Sequence, residues 1–128
     1  MADLTVQVVT PEVTKFSGAA RRVQLPGVLG DMGVLPQHAP LVSMLRPGKV
    51  EVAAADGSKY FAVGAGFATI ANNQVVCLVD AAVEASEVDA SKVTARISQI
   101  EQEIGQNGSS ELQANELEYL RAQLTLKA

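Results

Sequence analysis

The residues best placed for chemistry in this 128-residue sequence surround its single histidine, His38. Asp31 is the nearest acid before it and Ser43 the nearest hydroxyl after it, so a Ser-His-Asp arrangement is formally possible. No nucleophile-elbow sequence surrounds Ser43, and a metal site would need a second histidine or a cysteine cluster. Pro36 and Pro40 fix the backbone on both sides of His38 and remove two amide donors. This pattern indicates a stiff, exposed loop that binds a partner rather than an active site.

Two further motifs are predicted to be structural. The G-x-G of "VGAGF" (63–67) is followed by more strand-like sequence and not by a helix, so it cannot direct a helix N-terminus at a phosphate. Glycine within a strand more often marks a bulge or a close approach of two backbones. Cys77 lies in the apolar run "VVCLV" and is predicted to be a small core residue. Arg21 and Arg22 are adjacent and would face opposite sides of a strand, so they form no basic patch.

Composition restricts the class of protein. Hydrophobic residues make up 48% of the chain, aromatic residues only 4%, and tryptophan is absent, so we expect one domain with an aliphatic core. A net charge of −4 argues against a nucleic-acid-binding protein, which needs a basic face. The apolar runs are shorter than the ~20 residues of a membrane span, and "MADLTVQVVT" lacks the regions of a signal peptide. Because the only cysteine cannot form an internal disulfide, we expect a soluble protein of a reducing compartment.

The sequence from Leu4 to about Val83 has the period of strands. "LTVQVV", "RRVQL" and "KVEVAA" alternate with period 2, and "KYFAV", "GFATI" and "QVVCLV" are rich in β-branched residues. Asp56-Gly57 and Asn72-Asn73 are predicted to form hairpin turns, because these residue types tolerate a positive φ. Many short strands at close spacing predict an antiparallel β-sandwich or barrel over residues 1–85.

The period changes to that of helices in residues 86–128. Ser86 with Asp89 is predicted to cap a first helix, which the run "GQNGSS" ends, and Ser110 with Gln113 to cap a second. Apolar residues recur at helical spacing at Val93, Ile97, Ile100 and Ile104, and then at Leu117, Leu120 and Leu124. These patterns predict an antiparallel helical hairpin. Each apolar stripe is narrow, so the pair must bury it against each other, the sandwich or a partner.

Three stretches resemble a known family in their residues and in their order. They are "VVTPE…FSG" (8–18), "VQLPGVLGDMGVLPQHAPLVSMLRPG" (23–48) and "VGAGFATI" (63–70). This pattern is similar to that of the epsilon subunit of F-type ATP synthase, whose mitochondrial counterpart is called delta. The resemblance covers nearly the whole chain, and "GDMGVLPQHAPL" with "LRPG" is its most specific part.

The resemblance implies a ten-stranded sandwich followed by a two-helix hairpin, in a subunit without an active site. Such a subunit belongs to the central rotor, binds the gamma subunit, sits on the c-subunit ring and couples proton-driven rotation to the catalytic head. Asp31 and His38 match the family's loop residues near the c-ring. The implied location is peripheral, on the cytoplasmic side of a bacterial inner membrane or its plastid thylakoid equivalent.

Some family members bind regulatory ATP between the two helices. The resemblance maps that site onto Asp89, Lys92 and Arg121, with Lys92 in place of an arginine and Thr125 in place of a second one. A lysine offers a point charge where arginine offers a bidentate fork, and Val93 replaces a small alanine, which weakens the match. A nucleotide-sensing module whose hairpin binds ATP is therefore the alternative to a rotor subunit. A small enzyme that uses Asp31 and His38 is a third hypothesis.

The hairpin has a second implied role, as an inhibitor that extends into the catalytic head and contacts the catalytic beta and alpha subunits. In other members basic residues of the last helix face acidic catalytic segments. Here residues 86–128 contain seven acidic and four basic residues and so hold three of the chain's four net negative charges. Like charges across an interface weaken docking, so strong inhibition is the less favoured expectation.

Overall fold

The computed structural model describes residues 3–127, in which ten strands are followed by two long helices. The strands are β1 (Leu4–Val9), β2 (Thr14–Ala20), β3 (Arg22–Gly27), β4 (Gly30–Val34), β5 (Leu41–Leu45), β6 (Gly48–Ala54), β7 (Gly57–Val63), β8 (Gly66–Ala71), β9 (Gln74–Val79) and β10 (Ala82–Glu84). A 3-10 turn (Ala85–Glu87) leads to α1 (Ala90–Asn107) and α2 (Glu111–Lys127). The predicted fold class, a β-sandwich followed by a helical hairpin, is confirmed.

The strands form one continuous sheet that folds over into two layers. Its order is β10-β7-β6-β3-β5-β8-β9-β1-β2, with β4 paired to β3. β3 and β5 meet at the single pair Gly27 and Leu45, where the sheet passes from one layer to the other. All pairings are antiparallel except that of β1 with β9, so the predicted antiparallel sandwich has one parallel pair among the described strands. The core is aliphatic as expected, with Phe61 as its one fully buried aromatic residue among those described.

Both predicted hairpin turns form, one of them displaced by a residue. Asn72 and Asn73 have φ of 53° and 61° and make the two-residue β8–β9 loop, as predicted. Between β6 and β7 the loop residues are Ala55 and Asp56, because Ala54 pairs directly with Gly57. Gly57 keeps a φ of 135° and ends that turn instead of lying at its centre.

The predicted cap of α1 is wrong by three residues. Ser86 lies inside the 3-10 turn, which Glu84 and Glu87 cap reciprocally, and Asp89 is the residue that caps α1 by accepting the Lys92 amide at 3.2 Å. The helix also continues through the first three of the six residues of the predicted break, and it ends at Asn107 with Gly108 as its C-cap. The prediction for α2 is confirmed, because Ser110 Oγ accepts the Gln113 amide at 3.2 Å.

The hairpin is folded against the sandwich. α2 packs on β6 and β7, while α1 packs mainly on α2, so α2 lies between two layers. Leu117 and Leu120 are buried with Ile100 of α1 in a second apolar cluster. α2 thus has apolar residues on more than one side, where the sequence predicted a single narrow stripe. The predicted domain boundary after residue 85 falls in the 3-10 turn.

Candidate partner-binding interface

The His38 loop is held rigidly at the end of β4. The His38 amide donates to the Leu35 carbonyl at 3.2 Å, and its Nδ1 lies 2.7 Å from the Ala39 carbonyl oxygen. Gln37 has a φ of 67°, and its amide donates to Oδ1 of Asn73 at 2.6 Å. The loop is therefore fixed to the β8–β9 turn as well as by its prolines, which agrees with the stiff loop predicted from the sequence.

Asp31 lies at the other end of β4 from His38. Its carboxylate pairs with the Arg46 guanidinium next to the β3–β4 tip, where Leu29 is fully exposed. The stretch of β4 from Asp31 to Val34, which lies between Asp31 and His38, is about 10 Å long. Among the described residues, Ser43 bonds only the carbonyl of its neighbour Met44, at 3.4 Å. The structure thus does not bring Asp31, His38 and Ser43 together, and it groups no metal-ligand cluster among the described residues.

Sequence reasoning missed an exposed apolar face on the outer side of β5, β8 and β9. Met44 pairs with Phe67, and Phe67 pairs with Leu78, so their side chains form a row across three strands. The apolar face comprises Val42 (67% exposed), Met44 (60%), Phe67 (38%) and Leu78 (37%). A sequence signal existed, because "QVVCLV" is apolar at outward as well as inward positions, which is typical of strands covered on both sides.

A crevice lies between α2 and the strands β3, β4 and β6, next to the contact of α2 with β6 and β7. This cavity of about 620 Å³ is lined by three basic and three acidic side chains. They are Arg46, Lys49, Arg121, Asp31, Glu51 and Glu118. Because the charges balance, the crevice is not a cationic pocket for a polyphosphate.

Two of the three residues predicted to bind ATP, Asp89 and Arg121, use their side chains for other contacts in this conformation. Asp89 caps α1 through the Lys92 amide, and Arg121 pairs with Glu101 at 3.3 Å. Glu101 lies nine residues further along α1 than Lys92, about 14 Å of helix. The Thr125 hydroxyl donates to the Ala122 carbonyl at 2.6 Å. The residues present therefore do not form a nucleotide site here, and the ATP prediction stays untested.

Ion pairs hold the two helices of the hairpin together and hold its linker against the sheet. Arg96 of α1 binds Glu116 of α2 through two hydrogen bonds, of 2.8 and 3.0 Å. This pairing lowers the pKa of Glu116 and raises that of Arg96. In the linker, Glu87 accepts from Lys15 of β2 at 2.7 Å, and that contact, followed by the Glu84 amide, lowers the pKa of Glu87.

The glycine motif and the cysteine have the structural roles predicted for them. A Cβ on Gly66 would lie 2.0 Å from the Leu78 carbonyl oxygen, so "VGAGF" marks a close approach of β8 and β9. Cys77 is fully buried, and its burial raises the pKa of the thiol to about 12. Within residues 3–127, neither helix is long and apolar enough to cross a membrane.

Comparison with known proteins identifies the family. The family model described as the ATP synthase delta/epsilon chain, beta-sandwich domain, matches residues 3–85. An ATP synthase epsilon chain of Rhodopseudomonas palustris is 35% identical over 112 residues, covering 88% of this chain and 83% of the relative. Epsilon chain 2 of Ralstonia nicotianae is 39% identical over 124 residues, covering 96% and 85%.

A solved structure shares the whole fold. A chain in the Euglena gracilis mitochondrial ATP synthase, a structure of OSCP, F1 and c-ring, has a TM-score of 0.84 at 19% identity and covers 100% of this chain and 83% of its own length. The resemblance noted from the loop motifs is thereby confirmed. The chain belongs to the ATP synthase delta/epsilon family and is an accessory, non-catalytic subunit of ATP synthase.

Proposed function

We propose that the chain works in the central rotor, where its apolar face binds the gamma subunit and its β3–β4 tip contacts the c-ring. The observation that carries this proposal is the apolar face, which no part of the described chain covers. Related folds occur in assemblies described as OSCP/F1/c-ring in Euglena and as central stalk/c-ring in Tetrahymena thermophila, which supports a rotor location.

The apolar face is large enough to drive docking. An exposed row of apolar side chains across adjacent strands is typical of a protein-binding surface. Burying the exposed fractions of its four side chains would contribute about 4 kcal/mol, at about 2 kcal/mol for each fully buried side chain. The helical hairpin lies on the other layer, over β6 and β7, so the face is free while the hairpin is docked.

The ring contact is proposed for Asp31 and the tip beside it. Arg46 holds the Asp31 carboxylate in place, so little side-chain freedom is lost when a polar loop of the ring docks. His38 lies at the opposite end of β4, where its loop leads directly into Val42 and the apolar face. A ring surface that reached both residues would have to span that strand, so the ring contact of His38 is the less favoured half of the prediction.

The proposed coupling role requires a peripheral position at the membrane, with the ring as the attachment. We place the chain on the cytoplasmic side of a bacterial inner membrane, or at the equivalent thylakoid surface. Contact with the catalytic subunits would require the hairpin to leave β6 and β7 and to break the pair between Lys15 and Glu87. While the hairpin is docked on the sandwich, it makes no contact with the catalytic head.

Calorimetric titration of the isolated gamma subunit with the full chain tests the proposal. Met44→Glu should weaken binding at least a hundredfold, because an unpaired carboxylate would be buried at the centre of the apolar face. Leu112→Glu is the matched control, since Leu112 is 83% exposed but lies on the hairpin. Binding should be the same with and without ATP. Equal binding by wild type and Met44→Glu would contradict the proposal, and binding that requires ATP would favour the nucleotide-sensing alternative.

A further inference from the structure

We infer that Asn73 is a positioning residue, which sets the His38 loop in the conformation that docks on the rotor. The inference rests on the proposed function, because it assumes that this loop borders a partner-binding surface. Its basis is the 2.6 Å hydrogen bond from the Gln37 amide to Oδ1 of Asn73, which joins residues 36 positions apart. Within residues 3–127, this is the side-chain hydrogen bond that ties loop 35–40 to another element.

The loop needs an external restraint at this point. Gln37 has a φ of 67°, a left-handed conformation that is unfavourable for a residue other than glycine. The two prolines of the loop donate no amide hydrogen bonds, and the His38 amide is already used within the loop. Without Oδ1 of Asn73, Gln37 could relax to a negative φ, which would rotate the peptide before His38 and redirect the imidazole.

Asn73 is itself firmly placed on the sheet that carries the apolar face. It occupies the β8–β9 turn with a φ of 61°, and its carbonyl accepts the Thr5 amide at 2.8 Å. β8 and β9 contribute Phe67 and Leu78 to the apolar face. The side chain of Asn73 therefore fixes the His38 loop relative to that face, so that one partner assembly meets both in a set geometry.

The neighbouring asparagine provides a matched control. Asn72 and Asn73 share the same turn and both have a positive φ, but Asn73 alone accepts from Gln37. Glycine tolerates a positive φ, and Asn73→Gly creates Asn-Gly, the most favoured pair for such a turn. This variant therefore removes the acceptor without weakening the hairpin. Asn72→Gly changes the turn and keeps the acceptor, and Asn73→Asp keeps an oxygen acceptor on a residue type that also tolerates this backbone.

The experiment measures three properties of the full-length variants: thermal unfolding, hydrogen exchange of the Gln37 amide, and affinity for the gamma subunit bound to the c-ring. The Tm of Asn73→Gly should lie within a few degrees of that of Asn72→Gly. Its Gln37 amide should exchange faster than in the wild type. It should bind the rotor three- to tenfold more weakly, since one hydrogen bond contributes about that factor. Asn72→Gly and Asn73→Asp should bind like wild type. His38→Ala calibrates the assay and should also weaken binding.

The outcomes separate the two claims. If His38→Ala binds like wild type, the loop is not at the interface and this inference fails, whereas the proposed docking through the apolar face is tested separately by Met44→Glu. If His38→Ala weakens binding but Asn73→Gly binds like Asn72→Gly, the proposed function stands and the inference fails. The inference also fails if Asn73→Gly binds the rotor more weakly only because the variant unfolds at a lower temperature.

Discussion

Replacing Gly66 by alanine should severely destabilise the sandwich. Gly66 begins β8 and pairs with Leu45 on one side and Val79 on the other. An alanine Cβ would lie 2.0 Å from the Leu78 carbonyl oxygen and 2.7 Å from the Val79 Cα. Both atoms belong to the backbone, so the contact can be relieved only by moving the start of β8 away from β9 by more than an ångström.

Such overpacking should lower the free energy of unfolding by about 3 kcal/mol, the upper part of the range for core overpacking. For a chain of this size, that corresponds to a fall in Tm of about 10 to 15 °C. Thermal and urea unfolding followed by circular dichroism would measure it. Two glycines provide controls: at Gly64 the new Cβ meets the movable Asp80 carboxylate, and at Gly105 it meets no atom within 4 Å.

The controls fix the expected order of stability. Gly64→Ala should be mildly destabilising, because the Asp80 side chain can rotate away. Gly105→Ala should stabilise α1 by about 0.5 to 1 kcal/mol, because alanine is favoured over glycine inside a helix. If the free energy of unfolding of Gly66→Ala lay within 0.5 kcal/mol of that of the wild type, the close approach of β8 and β9 would be refuted. The explanation for the second glycine of "VGAGF" would be refuted with it.

Two further predictions concern titratable groups. Glu116→Gln should lower Tm by a few degrees at pH 7, because the pairing with Arg96 depresses the Glu116 pKa below its usual 4.5. That stabilisation is present above pH 4.5 and is lost as the pH falls through the depressed pKa, so the difference in Tm between the two proteins should shrink as the pH is lowered below 4.5. A difference that stays constant on acidification would contradict this assignment. Cys77, with a pKa raised to about 12, should react with a thiol reagent only on unfolding, and rapid reaction of the native protein would contradict its burial.

The sequence predicts local structure well where the period is unambiguous. Alternating residues identify the strands, and both asparagines at 72–73 adopt the positive φ that the turn requires. The prediction of Ser86 as a helix cap fails because residues 85–87 form their own 3-10 turn. The capping interactions of Glu84 and Glu87 stabilise that turn. The two apolar sides of α2 follow from its position between α1 and the sheet, which helical spacing alone does not reveal.

The candidate interface depends on contacts between residues far apart in the chain. The pair between Asp31 and Arg46 spans 15 residues, and the bond between Gln37 and Asn73 spans 36. Such partners become visible only when strand order is known. The apolar face is missed for a related reason: its side chains sit in strands that read as buried, and only the fold shows that no other element covers them.

ATP-driven proton pumping by vesicles that carry an ATP synthase stripped of this chain tests the central claim, the role in rotor coupling, most directly. Adding the wild-type chain or Leu112→Glu should restore pumping at a given rate of ATP hydrolysis, whereas Met44→Glu should not, because it cannot dock through the apolar face. Full coupling in the absence of the chain, or equal restoration by Met44→Glu, would contradict the account.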